Sequence, residues 1–234
     1  MGKIALIGMA AHTDPERFEG LPRALTNVFG YKPDVITTET TQEQLRFFKE
    51  RREALLAELS QDDAVLQTTA TGVRALIQQL LCTDAEICER YADTHNIRFE
   101  CIDHPIVNIS ASAQLAKVEQ LTLRNLLFAV MHGYGQAIFQ ADDRFASFSN
   151  PECDRRNQYQ IDEYENLFVI PTAQGDVFRD SHPEIILREL MTSGKSVIHV
   201  CGKAHLVRDL SGRRRTLISR IEDLEPTRHS MRDF

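Results

Sequence analysis

Ser196-Val-Ile-His-Val-Cys-Gly202-Lys-Ala-His205 is an apolar, β-branched run closed by a glycine, with a histidine three positions further on. From Ser196 to Cys201 it reads as a buried β-strand, and His205 falls just past its carboxyl end. Lys3-Ile-Ala-Leu-Ile-Gly8, followed by His12, repeats the pattern near the other end of the chain. A glycine lets the backbone turn sharply as it leaves a strand, which would set each histidine on the sheet's carboxyl edge. Asp34-Val-Ile-Thr-Thr38 gives a further strand with Glu39 at its end. Ile97 to Ile102 gives another, running into Asp103-His104-Pro105. Helical stretches separate the four strands. Such βα units predict an α/β fold, a mainly parallel central sheet flanked by helices in a single domain.

Four capping-box patterns mark helix starts: Thr13-Asp-Pro-Glu16, Thr40-Thr-Gln-Glu43, Thr83-Asp-Ala-Glu86 and Ser181-His-Pro-Glu184. The second opens a helix with Leu45, Phe48, Leu55, Leu56 and Leu59 on one face. Further helices are expected over 72–81, from about 112 to 131, up to Ser193-Gly194, and from 205 to about 223. Residues 141–160 are polar and read as a long loop or lid. One domain over 1–225 is predicted, with 226–234 as a flexible tail.

Composition narrows the function classes. Of 234 residues, 42% are hydrophobic and 26% charged, ordinary for a soluble globular protein. A net charge of −7 argues against nucleic acid or an anionic membrane as partner. Cys82, Cys88, Cys101, Cys153 and Cys201 include no Cys-x-x-Cys pair, which suits a reducing compartment. No secretory or membrane-spanning pattern stands out, and the chain is expected to be cytoplasmic. A homo-oligomer stays open.

In a parallel sheet the carboxyl ends of the strands share one edge, where ligands bind. The sequence delivers His12, Glu39, Asp103 with His104, and His205 to that edge. Two or three histidines with a carboxylate suit zinc, manganese or cobalt, and a spare carboxylate suits a general base. Gly-x-Ser-x-Gly, phosphate-loop and dinucleotide fingerprints are absent.

Four blocks, in order, resemble the TraB/Tiki-type superfamily, which includes erythromycin-esterase-like and ChaN-like proteins. They are Leu6-Ile-Gly-Met-Ala-Ala-His12; Lys32-Pro-Asp-Val-Ile-Thr-Thr-Glu39; Asp84-Ala-Glu86 through Ile102-Asp103-His104-Pro105-Ile106; and Phe178-Arg179-Asp180 with Val197 to His205. The chain departs from the family pattern in Gly-x-x-x-His for Gly-x-x-His, in His104 where an arginine is usual, and in Gln44. The resemblance implies a site of His12, Glu39, Glu86, Arg179 and His205, with Asp103 nearby. His12, Glu39 and His205 would be metal ligands. Glu39, Glu86 and Asp103 would do acid–base work, and Arg179 would anchor substrate. The expected function is metal-dependent hydrolysis of a peptide or ester bond, on a small-molecule or peptide substrate. The alternative is a non-catalytic module on the same fold, binding a small ligand such as haem or a regulatory partner.

Overall fold

The computed structural model describes residues 2–9, 16–61, 67–105, 118–132, 148, 152–163 and 165–234. In chain order the elements are β1 (Ile4–Met9), α1 (Arg17–Asn27), β2 (Val35–Thr38), α2 (Gln42–Gln61), α3 (Gln67–Leu81), α4 (Asp84–His95), β3 (Arg98–Cys101) and α5 (Leu123–Met131). There follow α6 (Glu152–Arg156), α7 (Gln158–Glu163), α8 (Glu165–Phe168), β4 (Val169–Thr172), β5 (Gly175–Phe178), α9 (Ser181–Thr192), β6 (Val197–Gly202), α10 (Leu217–Ile221) and β7 (Thr227–Ser230). Five strands form one sheet in the order β3-β2-β6-β1-β7, every pair parallel. The α/β fold expected from the alternation of strands and helices is present.

The central strands β1, β2 and β6 are largely apolar on both faces because helices cover both. On one face Ile4, Leu6, Val35, Val197 and Cys201 pack with Leu187, Leu190 and Met191 of α9 and Leu217, Ile218 and Ile221 of α10. On the other, Ile7, Met9, Ile36, Ile198 and Val200 meet Leu21, Ala24 and Leu25 of α1 and Ile87, Cys88 and Ala92 of α4. Helices α2, α3 and α5 share a separate apolar cluster, with Leu55, Leu59, Val73, Ile77 and Leu126 at its centre. Alternation puts Thr37 and His199 on the α9 face, two polar residues in an otherwise apolar layer.

Three expectations are corrected. Residues 226–234, expected as a tail, carry β7, which pairs with β1 from Ala5↔Thr227 to Gly8↔Ser230. Its sequence, Thr-Arg-His-Ser, lacks the apolar alternation that marks a strand, as suits an edge. Within 141–160, expected as a loop or lid, residues 152–156 and 158–160 are helical, and Asp154 and Asn157 among them are buried. Asp154 accepts from Arg228 Nη1 at 2.7 Å and from the Arg208 amide at 2.9 Å. The rest of 141–160 lies outside the described residues, apart from Phe148. Helix over 205–223 is confined to a 3-10 turn at Lys203–Leu206, α10 and a second turn at Glu222–Leu224. Between them Asp209 gathers Arg215 Nε at 2.9 Å, Ser211 Oγ at 2.6 Å and the amides of both residues. That aspartate-centred turn delays the helix to Leu217.

The caps also shift. The reciprocal box at α2 is Thr41 with Gln44, one residue later than Thr40–Glu43: each backbone amide donates to the other's side chain, at 3.1 and 3.2 Å. At α9 the N-cap is Asp180, one residue before Ser181, and Ser181 Oγ donates to Phe178 O instead. Residues 13–15 of the box Thr13–Glu16 and 112–117 of the helix expected from about 112 to 131 fall outside the described residues; the rest of that helix is broken at 120–122, where Thr122 caps α5.

Candidate active site

Local structure delivers each side chain to the carboxyl edge. The Thr41–Gln44 box ends β2, while the Glu39 amide still donates to Val200 O at 3.0 Å, so the ladder fixes Glu39 beside β6. Beyond β3, the amides of Ile102 and Asp103 bond to Thr38 O and Thr40 O, carrying Asp103 to the same rim. His205 lies in the 3-10 turn directly after β6. Arg179 and Asp180 arrive by the β4–β5 hairpin. This antiparallel pair returns the chain so that the Arg179 amide donates to Phe168 O at 2.9 Å. The sequence reading had no element over 161–178.

These groups form one hydrogen-bonded chain. Asp180 accepts from His205 Nδ1 at 2.8 Å, and His205 Nε2 lies 2.9 Å from Glu39 Oε1. Glu39 Oε1 is also 2.6 Å from Arg179 Nη2, while Oε2 accepts the Gly202 amide at 2.9 Å. Arg179 then donates through Nε and Nη2 to both oxygens of Asp103, at 2.9 and 2.5 Å, and Asp103 Oδ1 takes the His104 amide. The ring of buried Phe168 meets His205 edge-on, with centroids 5.0 Å apart.

Charge and burial decide the protonation states. Burial alone would push the Glu39 carboxyl up, yet Arg179 and His205 outweigh it and hold the group well below the usual carboxylate range. Burial would likewise discharge His205, but Asp180 and Glu39 raise it to about 10. The ring is therefore an imidazolium with both N–H groups committed to carboxylates. Arg179 stays charged against burial through Glu39 and Asp103.

His199 behaves oppositely. It is fully buried on β6, and burial drives its pKa down to about 4, leaving it neutral. Its Nδ1 is 2.9 Å from Thr37 Oγ1, and its Nε2 has no hydrogen-bond partner among the described residues. An orphaned polar atom at that depth costs about 1–3 kcal/mol.

Glu39, Asp103, Arg179 and His205 thus come together. His12 lies outside the described residues. Glu86 stands elsewhere, and no hydrogen bond or ion pair among the described residues joins it to the other four. The Glu86 amide donates to its helix N-cap, Thr83 Oγ1, at 3.2 Å, but its carboxylate turns to Arg52 and Arg90 rather than back to the cap. Sequence reasoning missed Asp180, Phe168, Thr37 and His199. Asp180 adjoins Arg179, but in one dimension it reads as that arginine's partner. The pairing of His199 with Thr37 exists only through the register Thr37↔His199.

The described donors do not fit a divalent metal as they are arranged. No three His, Cys, Asp or Glu side chains among them converge on a metal-sized point. His205 spends both nitrogens on carboxylates, and the Arg179 guanidinium takes the place between Glu39 and Asp103 that a cation would fill. All five cysteines are free; burial raises their thiols, so none is primed as a nucleophile. Among the described residues no helix is long and apolar enough to cross a membrane. No family model, no curated protein and no solved structure matches this chain.

Proposed function

We propose that the chain is a hydrolase of peptide or ester bonds, of the TraB/Tiki type, whose reacting pair is Glu39 and His205. The observation that carries this reading is the shared carboxylate: Glu39 takes hydrogen bonds from the His205 imidazolium and the Arg179 guanidinium at the sheet's carboxyl edge. As His205 Nε2 turns from Glu39 Oε1 to the substrate, Glu39, ionised at neutral pH, accepts a proton from the attacking water at the position thus freed. His205 Nε2 gives its proton to the leaving group, while Asp180 holds the ring in orientation and stabilises its charge. Arg179 lies between Glu39 and Asp103, bonding both, and holds Glu39 charged. The metal-dependent form of this proposal adds a divalent ion held by His12 with Glu39 and His205. For that, His205 must give up its Nε2 proton.

The experiment is hydrolysis of para-nitrophenyl acetate and of a mixed peptide pool by the full chain, beside its Glu39→Gln and His205→Ala variants, with elemental analysis of each. Turnover lost in both variants supports the hydrolase. Stoichiometric zinc, manganese or cobalt lost in both adds the ion. Turnover that survives both substitutions sinks the assignment, and a Soret band on the purified protein would replace it with haem binding.

A further inference from the structure

Among the described residues, His199 is a buried titratable group beside the reacting pair that the proposed chemistry does not use and whose Nε2 has no partner. Register explains its place. Thr37 and His199 are paired across the parallel β2–β6 ladder, and Glu39 follows Thr37 by two residues on the same face. The Glu39 carboxylate therefore lies one pleat ahead of the imidazole, close enough that the charges of both Glu39 and His205 act on the ring.

One ring nitrogen is engaged: Nδ1 pairs with Thr37 Oγ1 at 2.9 Å, while the same hydroxyl lies 3.5 Å from Ile198 O. The other, Nε2, is fully buried and has no hydrogen-bond partner among the described residues. Glu39 also has spare accepting capacity. Its Oε1 takes Arg179 and His205, but among the described residues Oε2 takes only the Gly202 amide. A water molecule can donate to Oε2 and can either give a hydrogen to Nε2 or accept one from it, so it serves both tautomers of the ring.

We propose that His199 Nε2 and Glu39 Oε2 together bind one internal water, which donates a hydrogen bond to Oε2 and pairs with Nε2. His199 is then a positioning residue. Through the water it gives the Glu39 carboxylate another donor and holds it in the plane that meets His205 and Arg179. The Asp180–His205–Glu39 chain is thereby extended to Thr37.

The test is a high-resolution crystal structure of the full chain beside its His199→Phe and His199→Gln variants, with para-nitrophenyl acetate hydrolysis by all three. One ordered water within hydrogen-bond reach of both Nε2 and Oε2 is expected in the unmodified chain. It should vanish with phenylalanine and return with glutamine, whose amide reaches the Nε2 position. The rate should fall about tenfold or more with phenylalanine and recover with glutamine. A dry Nε2 in the unmodified chain overturns the proposal, whatever the variants do. So does a phenylalanine variant that keeps its full rate. The rate comparison rests on the hydrolase reading, and an unmodified chain without turnover defeats that reading while the density still decides the water.

Discussion

Glu39 and Glu86 are both acidic groups shielded from solvent and held ionised by arginine, yet they are built for different work. Glu86 opens α4 and is clamped by Arg52 from α2 and by Arg90 one turn along its own helix. Burial pushes its carboxyl up, but the two guanidinium groups win and hold it low. Nothing in that clamp changes charge near neutral pH. Glu39 shares itself between one arginine and one imidazolium, and a third carboxylate holds the imidazolium from behind. A carboxylate pinned only by arginines is a rivet; one that shares an ionisable hydrogen with a histidine can pass a proton.

The sharpest way to break this comparison is to neutralise each carboxylate. Glu39→Gln is expected to lower hydrolysis about a thousandfold, within the usual range for an acid–base group. Glu86→Gln should leave the rate unchanged and cost about 3 kcal/mol, because Arg52 stays buried without its counter-charge. Steady-state rates and urea unfolding of the two proteins decide it. A Glu86 variant that loses turnover while unfolding normally would return Glu86 to the site.

pH gives the next largest effect. His205 has a folded pKa raised to about 10 from 6.5, so its contribution to stability is complete below about pH 6.5 and lost as pH rises through about 10. His199 has a folded pKa lowered to about 4, so the unfolded chain takes up its proton first. That contribution is intact above about pH 6.5 and lost as pH falls towards 4. The Glu86 clamp, with a depressed carboxyl, loses stability only on the acid side, below its ordinary value of 4.5. Urea midpoints should therefore peak near pH 6.5. His205→Gln should flatten the alkaline limb alone; an alkaline limb unchanged in that variant would mean the imidazolium is not clamped.

The two glycines that closed the strand motifs give the smallest effect. A Cβ at Gly8 would meet Lys203 Cγ at 2.9 Å and Leu206 and Phe148 at 3.1 Å. Gly8→Ala should cost about 1–3 kcal/mol by overpacking. At Gly202, beside Glu39, the backbone is ordinary (φ −61°) and a Cβ would touch its neighbours only at 3.6 and 3.7 Å. Gly202→Ala should fall within about 0.5 kcal/mol of the parent in thermal melts. The sharp turn read into Gly202 is not there; the 3-10 turn carries His205 to the edge without it.

What the sequence made legible follows from range. Buried parallel strands are largely apolar, so β1, β2 and β6 could be read from composition; the edge strand β3, Arg-Phe-Glu-Cys, was read with its apolar flanks Ile97 and Ile102, and the groups Glu39, Asp103 and His205 followed from where those strands stop. β7 was illegible because an edge strand need not be apolar. The hairpin β4–β5 was missed because neither arm carries a strong alternation, although Gly175, the first residue after its turn, sits at φ +120°. Asp180 and His199 belong to the site through side-chain pairing between elements, which no local pattern encodes. Glu86 illustrates the reverse error: its local pattern was right, since it does follow a capping threonine, but its carboxylate was spent across the helix interface on Arg52.

The first strand also sets a timetable. Both hydrogen-bonding neighbours of Ile4–Met9 come from residues 197–202 and 227–230, about 190 or more positions later. At roughly 5–20 residues per second, a ribosome leaves that apolar segment without its partners for about ten to forty seconds. The sheet cannot be completed piecemeal from its amino end, and the nascent chain should depend on holding factors until its last strand emerges.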